Sequence, residues 1–114
     1  MDEDIKVLIR EAYDDILQTT MKVLRNCELF KFNMDLLKEE DPSYSIIAQK
    51  LELAAEFIKA SYSVMSHKDT ESMHNATKAF EYALNVKNIA RAISEDNQES
   101  LEDFLTELKE KPFL

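Results

Sequence analysis

Glycine is absent from this chain of 114 residues, and proline occurs only twice, as Pro42 and Pro112. Glycine is the default residue where the backbone takes a positive φ, as in tight turns and phosphate-binding loops. Its absence therefore excludes the P-loop, the glycine-rich dinucleotide fingerprint and the Gly-x-Ser-x-Gly elbow of hydrolases. With so few residues that interrupt helices, the chain can be almost entirely helical.

Cysteine is nearly absent as well: Cys27 is the only one, so no disulfide can form within the chain. A lone thiol among apolar helical positions usually behaves as a small buried hydrophobic group. Positive charge is also scarce, since 14 basic residues face 23 acidic ones and give a net charge of −9. We therefore expect no binding to nucleic acid or to anionic membranes, and attraction to a basic protein.

Long apolar runs are missing too, and none approaches the roughly 18 residues of a membrane span. The first residues, Met1 to Asp4, are acidic and lack the basic region of a signal peptide. A cytoplasmic location is the resulting expectation. Apolar residues make up 45% and charged residues 32% of the chain, which predicts one folded domain over residues 1–114.

What the chain does contain is helical periodicity. Nothing interrupts a helix from Asp2 to Glu40, and polar residues between Asn26 and Asn33 mark a kink or a short loop as the alternative to one continuous helix. Steps of three and four residues separate the apolar or small positions of this segment. These positions are Ile5, Ile9, Ala12, Ile16, Thr20, Val23, Cys27, Phe30, Met34 and Leu37.

A second helix is predicted from Pro42 to Ser66, because Asp41 suits an N-cap and proline suits the first helical position. Its core-facing positions are predicted to be Ile47, Leu51, Ala54, Ile58 and Met65. The small residues Ala48, Ala54, Ala55 and Ala60 would let a neighbouring helix approach closely.

A third helix is predicted from Glu71 to Ile93, with Asp69 or Thr70 as its cap. Its predicted core positions are Met73, Ala76, Phe80, Ala83, Val86, Ala90 and Ile93, flanked by Ala79, Leu84 and Ile89. A fourth helix is predicted from Asn97 to Glu110, with Asp96 and Glu99 forming a capping box. Its predicted core positions are Leu101, Phe104, Leu105 and Leu108.

No segment alternates with the period of two that a strand needs. Short connections between the later helices favour antiparallel neighbours. The sequence therefore predicts an all-α fold: an antiparallel up-down helical bundle of three long helices plus a shorter fourth.

His74 is the residue that invites a test for chemistry, because Glu71 and His74 form a Glu-x-x-His pair. Di-iron bundles need two such pairs and two further glutamates, whereas this chain has a single Glu-x-x-His pair. In histidine phosphotransfer domains the acceptor is followed by leucine, lysine and glycine, whereas Ala76, Thr77 and Lys78 stand here. A surface histidine is the simpler interpretation.

Catalytic groups are not evident elsewhere. Cys27 has no base beside it in the sequence, and His67 falls in a polar turn. Adjacent carboxylates such as Asp14 and Asp15 diverge by about 100° on a helix and do not form a dyad. We therefore predict no enzyme activity, no catalytic residue, no metal site and no cofactor.

Two surfaces are candidates for binding a partner. One is the acidic side of the fourth helix, with Glu99, Glu102, Asp103 and Glu107 opposite its apolar residues. The other is the far half of the first helix, which would overhang its shorter neighbours and expose apolar residues. Its candidate binding residues are Leu29, Phe30, Phe32 and Leu36.

Three hypotheses for function follow. The first is a non-enzymatic protein–protein interaction module, an adaptor or regulatory subunit, that binds a partner through apolar helix surface and the acidic C-terminal helix. The partner would be another protein, basic in character, or a second copy of this chain. The second hypothesis is a small acidic antagonist of the immunity type, which blocks a basic toxin or nuclease. The third is a phosphotransfer or metal-bearing bundle centred on His74.

Overall fold

Four helices make up nearly all of the described structure. The computed structural model describes residues 3–25, 42–65, 69–111 and 113, without the side chains of residues 64 and 65. The helices are α1 (Glu3–Arg25), α2 (Tyr44–Met65), α3 (Thr70–Ser94) and α4 (Gln98–Glu110). Within these ranges there is no strand. The prediction of an all-α bundle with three long helices and a shorter fourth is confirmed.

The four helices enclose one core, because α1 and α3 each pack against both α2 and α4. Short connections make α2 and α3, and α3 and α4, antiparallel neighbours. The side-chain amide of Asn85 ties α3 to α4 by donating from Nδ2 to the carbonyl oxygen of Phe104 at 3.3 Å. The predicted extension of the first helix, including its possible kink, falls on residues 26–41, which lie outside the described residues.

Most positions of the predicted apolar stripes form this core, whereas the predicted core residues Phe80 of α3 and Phe104 of α4 are half-buried. Every described stripe position of α1 and α2 is buried, as are Leu101, Leu105 and Leu108 of α4. The buried hydroxyl groups find partners one turn back: Thr20 donates to the carbonyl of Ile16 at 2.7 Å, and Ser61 donates to that of Phe57 at 2.8 Å. Because these polar groups are satisfied within their own helices, they cost little to bury.

Helices α2 and α3 pack closely through small residues. Ala55 of α2 is 0% exposed and Ala83 of α3 is 2% exposed. Ala83 precedes Lys87 by one helical turn, and Lys87 forms an ion pair with Glu56 of α2, so both α3 residues face α2. The Lys87 ammonium group lowers the pKa of the Glu56 carboxyl, and Lys59 contributes in the same direction.

Two residues of α3 that were predicted to be apolar contacts, Met73 in the stripe and Leu84 on its flank, are exposed instead. Met73 is 58% exposed because it lies in the first turn, before α3 reaches the core at Ala76. Leu84 is 60% exposed because it follows Glu81 by three residues and shares its solvent-facing side. The prediction that Met73 lies in the apolar stripe and Leu84 on its apolar flank is therefore wrong.

The connection between α3 and α4 differs from the predicted capping box. Asp96 has φ 53°, in the left-handed region, and its N–H donates to the carbonyl of Ile93 at 3.2 Å. The N–H of Asn97 donates to the carbonyl of Ala92 at 2.9 Å, which completes a Schellman motif with aspartate in place of the usual glycine. Asn97 then caps α4, its Oδ1 accepting from the Ser100 N–H at 3.2 Å.

The start of α2 lies two residues after its predicted position. Ser43 precedes the helix and its Oγ accepts from the N–H of Ile46 at 3.4 Å, so Pro42 stays outside the helix. Pro42 is buried, and its carbonyl oxygen accepts from Nη1 of Arg10 at 3.4 Å. Asp41 lies outside the described residues. The predicted cap of α3 is confirmed, since Asp69 Oδ1 accepts from the Ser72 N–H at 2.7 Å.

Candidate functional site

Helix α4 carries the strongest charge imbalance of the four helices. Its five acidic residues and single lysine give a net charge of −4, whereas α2 and α3 together have a net charge of +1. The predicted binding residues Glu99, Glu102, Asp103 and Glu107 are all exposed. Because Leu101, Leu105 and Leu108 hold the opposite side of α4 in the core, these carboxylates are fixed toward solvent.

Two grooves flank α4, one beside α1 and one beside α3; Glu102 lines the first and Glu107 lines the second. We call the first the α1–α4 groove; one part of it, about 340 Å³, is lined by Leu8, Glu11, Ala12, Asp15, Leu105, Leu108 and Lys109. A second part, about 330 Å³, is lined by Asp4, Ile5, Leu8, Glu102, Leu105, Thr106 and Lys109. The two parts share Leu8, Leu105 and Lys109, so they form one continuous depression between the helices.

The rim of the α1–α4 groove is acidic. Asp4, Glu11 and Asp15 from α1 and Glu102 from α4 give four carboxylates against one ammonium group, that of Lys109. The local balance is therefore −3. Among the described residues, Glu11, Asp15 and Glu102 form no ion pair.

The second groove, which we call the α3–α4 groove, has a volume of about 460 Å³ and a mixed lining. Glu107 lies in it and forms an ion pair with Lys111, with Nζ and Oε1 3.4 Å apart. Phe113 also lines it, with its ring stacked on Tyr82 at 5.4 Å and set edge-on to Tyr62 at 5.4 Å. The two acidic residues of the lining, Glu81 and Glu107, balance the two lysines, Lys78 and Lys111, so this groove has no net charge.

Two buried polar atoms of α3 have no hydrogen-bond partner among the described residues: the Tyr82 hydroxyl and Oδ1 of Asn85. Burial raises the pKa of Tyr82 to about 12. Thr19 of α1 is close enough to oppose part of this rise, but the geometry between the two hydroxyl groups is not that of a hydrogen bond. Both unpaired atoms belong to α3, and the residues that affect the Tyr82 hydroxyl, Thr19 and Asp15, lie on α1.

Other candidates from the sequence are not brought into a site. Leu29, Phe30, Phe32 and Leu36 lie outside the described residues, as do Cys27 and His67. His74 and Glu71 are both exposed in the first two turns of α3. No group of three or more His, Cys, Asp and Glu side chains within the described ranges is arranged to hold a metal ion.

Sequence reasoning missed the contribution of α1 to the acidic surface. Asp4, Glu11 and Asp15 are separated by seven and four residues, which places them on one side of a helix. That spacing was available as a signal. Their position beside Glu102 was not, because only the packing of α1 on α4 brings the two acidic sides together.

Comparison with known proteins gives no relative from which a function can be transferred. The chain matches no protein-family model, and neither a curated protein nor a solved structure is similar to it. None of the described helices is long and apolar enough to cross a membrane.

Proposed function

We propose that this protein is a non-enzymatic binding module that recognises a basic region of another protein through the acidic side of α4 and the adjoining side of α1. A cytoplasmic location is part of the same proposal. The observation that carries it is the α1–α4 groove, where four carboxylates and one lysine surround an apolar floor. A field of one sign around a groove accelerates association with a partner of opposite charge and selects against partners of like charge.

The charge is favourable for binding and unfavourable for the fold. Glu99, Asp103 and Glu107 follow one another at intervals of four residues, so each neighbouring pair sets like charges one helical turn apart. Such a pair destabilises a helix by about 0.2–0.5 kcal/mol. A role in binding gives a reason for carboxylates that do not stabilise α4.

Capture of partners from a native lysate tests this proposal when two charge-matched variants are compared. Glu102→Lys combined with Asp103→Lys reverses charge on α4. Glu52→Lys combined with Glu71→Lys makes the same change in net charge at exposed positions of α2 and α3. Circular dichroism should show that both variants keep the helical content of the wild-type protein.

The expected result is a partner retained by the wild type and by the α2–α3 variant but lost by the α4 variant. The purified partner should then bind the wild type with an affinity that falls as salt is raised, because exposed charges are screened. Equal capture by both variants would contradict the proposal, and so would partners whose binding is insensitive to salt.

The antagonist hypothesis is a narrower form of the same proposal. It is favoured by the continuation of the acidic surface from Glu102 of α4 onto Glu11 and Asp15 of α1, across the α1–α4 groove. A broad acidic surface suits the blocking of a basic active site. If the captured partner is a nuclease or toxin, the wild-type protein should inhibit it and the α4 variant should not; inhibition by both variants would exclude this form.

A further inference from the structure

The α1–α4 groove has the length of a short helix. Along α1 its lining runs from Asp4 to Asp15, a span of 11 residues. At 1.5 Å per residue this is about 16 Å, or three helical turns. On the opposite wall, α4 contributes residues from Glu102 to Lys109. A depression between two helices is the shape into which a third helix packs in helix-in-groove recognition.

The floor of the groove provides little apolar surface. Ala12, Leu105 and Leu108 are 9%, 4% and 6% exposed, and Leu8 is the half-buried member of the set. Hydrophobic burial scales with the apolar area removed from water, so a purely apolar helix would gain little here. An occupant needs a narrow apolar edge to contact Leu8 and cationic side chains to reach the rim.

The rim specifies where those cations should lie. Asp4, Glu11 and Asp15 are seven and four residues apart on one side of α1. Lysine or arginine residues that repeat at three-, four- and seven-residue intervals on a helix would lie along the same line. A second copy of this chain does not fit, because each copy has a net charge of −9.

We propose that the α1–α4 groove holds a single basic amphipathic helix, about three to four turns long, from a partner protein. This inference rests on the proposed binding function and specifies the chemistry of the partner. Lysine or arginine residues contact the carboxylates of Glu11, Asp15 and Glu102, and a narrow apolar edge contacts Leu8. Charge supplies most of the affinity, which makes the binding strongly dependent on salt.

A labelled synthetic peptide of about 16 residues tests this inference directly. It carries leucine at helical i, i+4, i+7 and i+11 positions with lysine and alanine elsewhere, and its binding is measured by fluorescence anisotropy. A scrambled peptide of the same composition keeps the charge but cannot present an amphipathic helix. The scrambled peptide should bind at least tenfold more weakly, and raising sodium chloride from 50 to 300 mM should weaken the designed peptide at least tenfold.

Variants of the protein locate the site. Ala12→Leu places extra volume in the groove without changing charge, and Glu11→Lys combined with Asp15→Lys reverses the rim. Each should weaken peptide binding at least fivefold. Met73→Ala removes an exposed apolar side chain on α3 and should leave the affinity unchanged. If Ala12→Leu disturbs the fold, Leu8→Ala serves in its place and should weaken binding by removing the apolar contact.

Nuclear magnetic resonance mapping gives a second readout. The designed peptide should shift amide signals around Leu8, Ala12 and Leu105, and should leave those around Leu84 unchanged. Equal binding of the scrambled peptide would overturn the helix inference while leaving the proposed function standing. Absence of peptide binding, shifts confined to other surfaces, or a dimer of the protein that covers the groove would each overturn it too.

Discussion

The α2–α3 interface and the surroundings of α4 use similar apolar residues but are closed to different degrees. Between α2 and α3, alanines such as Ala55 and Ala83 allow close approach, and the ion pair of Glu56 with Lys87 crosses the interface. Around α4 there are two open grooves: the α1–α4 groove, with parts of about 340 and 330 Å³, and the α3–α4 groove of about 460 Å³.

The difference indicates that the two regions of the bundle have different roles. Close packing and balanced charge, as between α2 and α3, are what stabilise a core. Open grooves and a net charge of −4, as on α4, contribute little to stability and provide surface that a partner can contact. Each of the following experiments asks whether the two regions respond differently to a similar change.

The largest expected effect comes from enlarging one alanine in each region. Ala83→Leu adds a side chain where α3 faces α2 and should reduce the free energy of unfolding by about 1–3 kcal/mol through overpacking. Ala12→Leu adds the same volume beside the α1–α4 groove and should change stability by less than about 0.5 kcal/mol, because the groove has room for it. Urea unfolding followed by circular dichroism measures both values, and equal losses would mean that the two regions are packed alike.

The loss of stability at alkaline pH tests the burial of Tyr82, a residue of α3 that lines the α3–α4 groove. Folded Tyr82 has a pKa of about 12, above its ordinary value of 10.0, so it keeps its proton where the unfolded chain releases it. Stability should therefore be fully present below about pH 10 and should fall as pH rises toward 12, by at most about 1.4 kcal/mol per pH unit. Urea unfolding at a series of pH values between 9 and 12 measures this slope.

Tyr82→Phe should remove most of that slope. At neutral pH the same substitution should leave stability unchanged or raise it by up to about 1 kcal/mol, because it deletes a buried hydroxyl that has no partner. Tyr62→Phe is the matched control: burial raises the pKa of Tyr62 also, but this residue is less buried, so the slope should change less. A large loss of stability in Tyr82→Phe at neutral pH would show that its hydroxyl is well bonded.

Much of this architecture was predictable because it depends on local periodicity. The period of 3.6 residues identified Ile47, Leu51 and Ile58 as core positions, and all three are 0% exposed. The same rule misplaced Leu84, because a periodic pattern does not fix which flank of the stripe faces solvent. The amphipathic side of α4 was predicted for the same reason that the core was.

The site as a whole was not predictable, because it depends on packing between distant segments. Nothing local to Asp4, Glu11 or Asp15 indicates that they lie beside Glu102 of α4. The cap of α4 shows the same limit: Asp96 and Asn97 are both good capping residues, and the chain reversal decided between them by placing Asp96 at positive φ.

A pair of charge reversals should have opposite effects in the two regions. Asp103→Lys replaces two like-charge pairs on α4, with Glu99 and Glu107, by favourable ones and should stabilise the fold by about 0.5–1 kcal/mol. Glu56→Lys removes the ion pair with Lys87 and should destabilise the fold by about 0.2–1 kcal/mol. Thermal unfolding at 20 and 500 mM sodium chloride measures both changes, and both should shrink at the higher salt concentration.

Acid titration gives an independent check on the Glu56 pair. Lys87 lowers the pKa of Glu56 below its ordinary value of 4.5, so the pair contributes stability above pH 4.5 and loses it as pH falls through the lowered pKa. The difference in stability between wild type and Glu56→Gln should vanish over that range.

The charge reversals have an outcome that would contradict the comparison. If Asp103→Lys destabilises the protein, the acidity of α4 would have a structural role, and the two regions would not differ in the way described.

The smallest effect on stability is expected at the connection between α3 and α4, where Asp96 has φ 53° in a chain that has no glycine. Asp96→Gly should relieve the left-handed strain, but it also gives the unfolded chain more freedom, so the net gain should be about 0.5 kcal/mol. Asp96→Ala should lose a similar amount, because alanine tolerates this conformation less well than aspartate. If thermal unfolding ranks Gly below Asp here, Asp96 must stabilise the turn through its side chain, and the entry to α4 would be better secured than its grooves suggest.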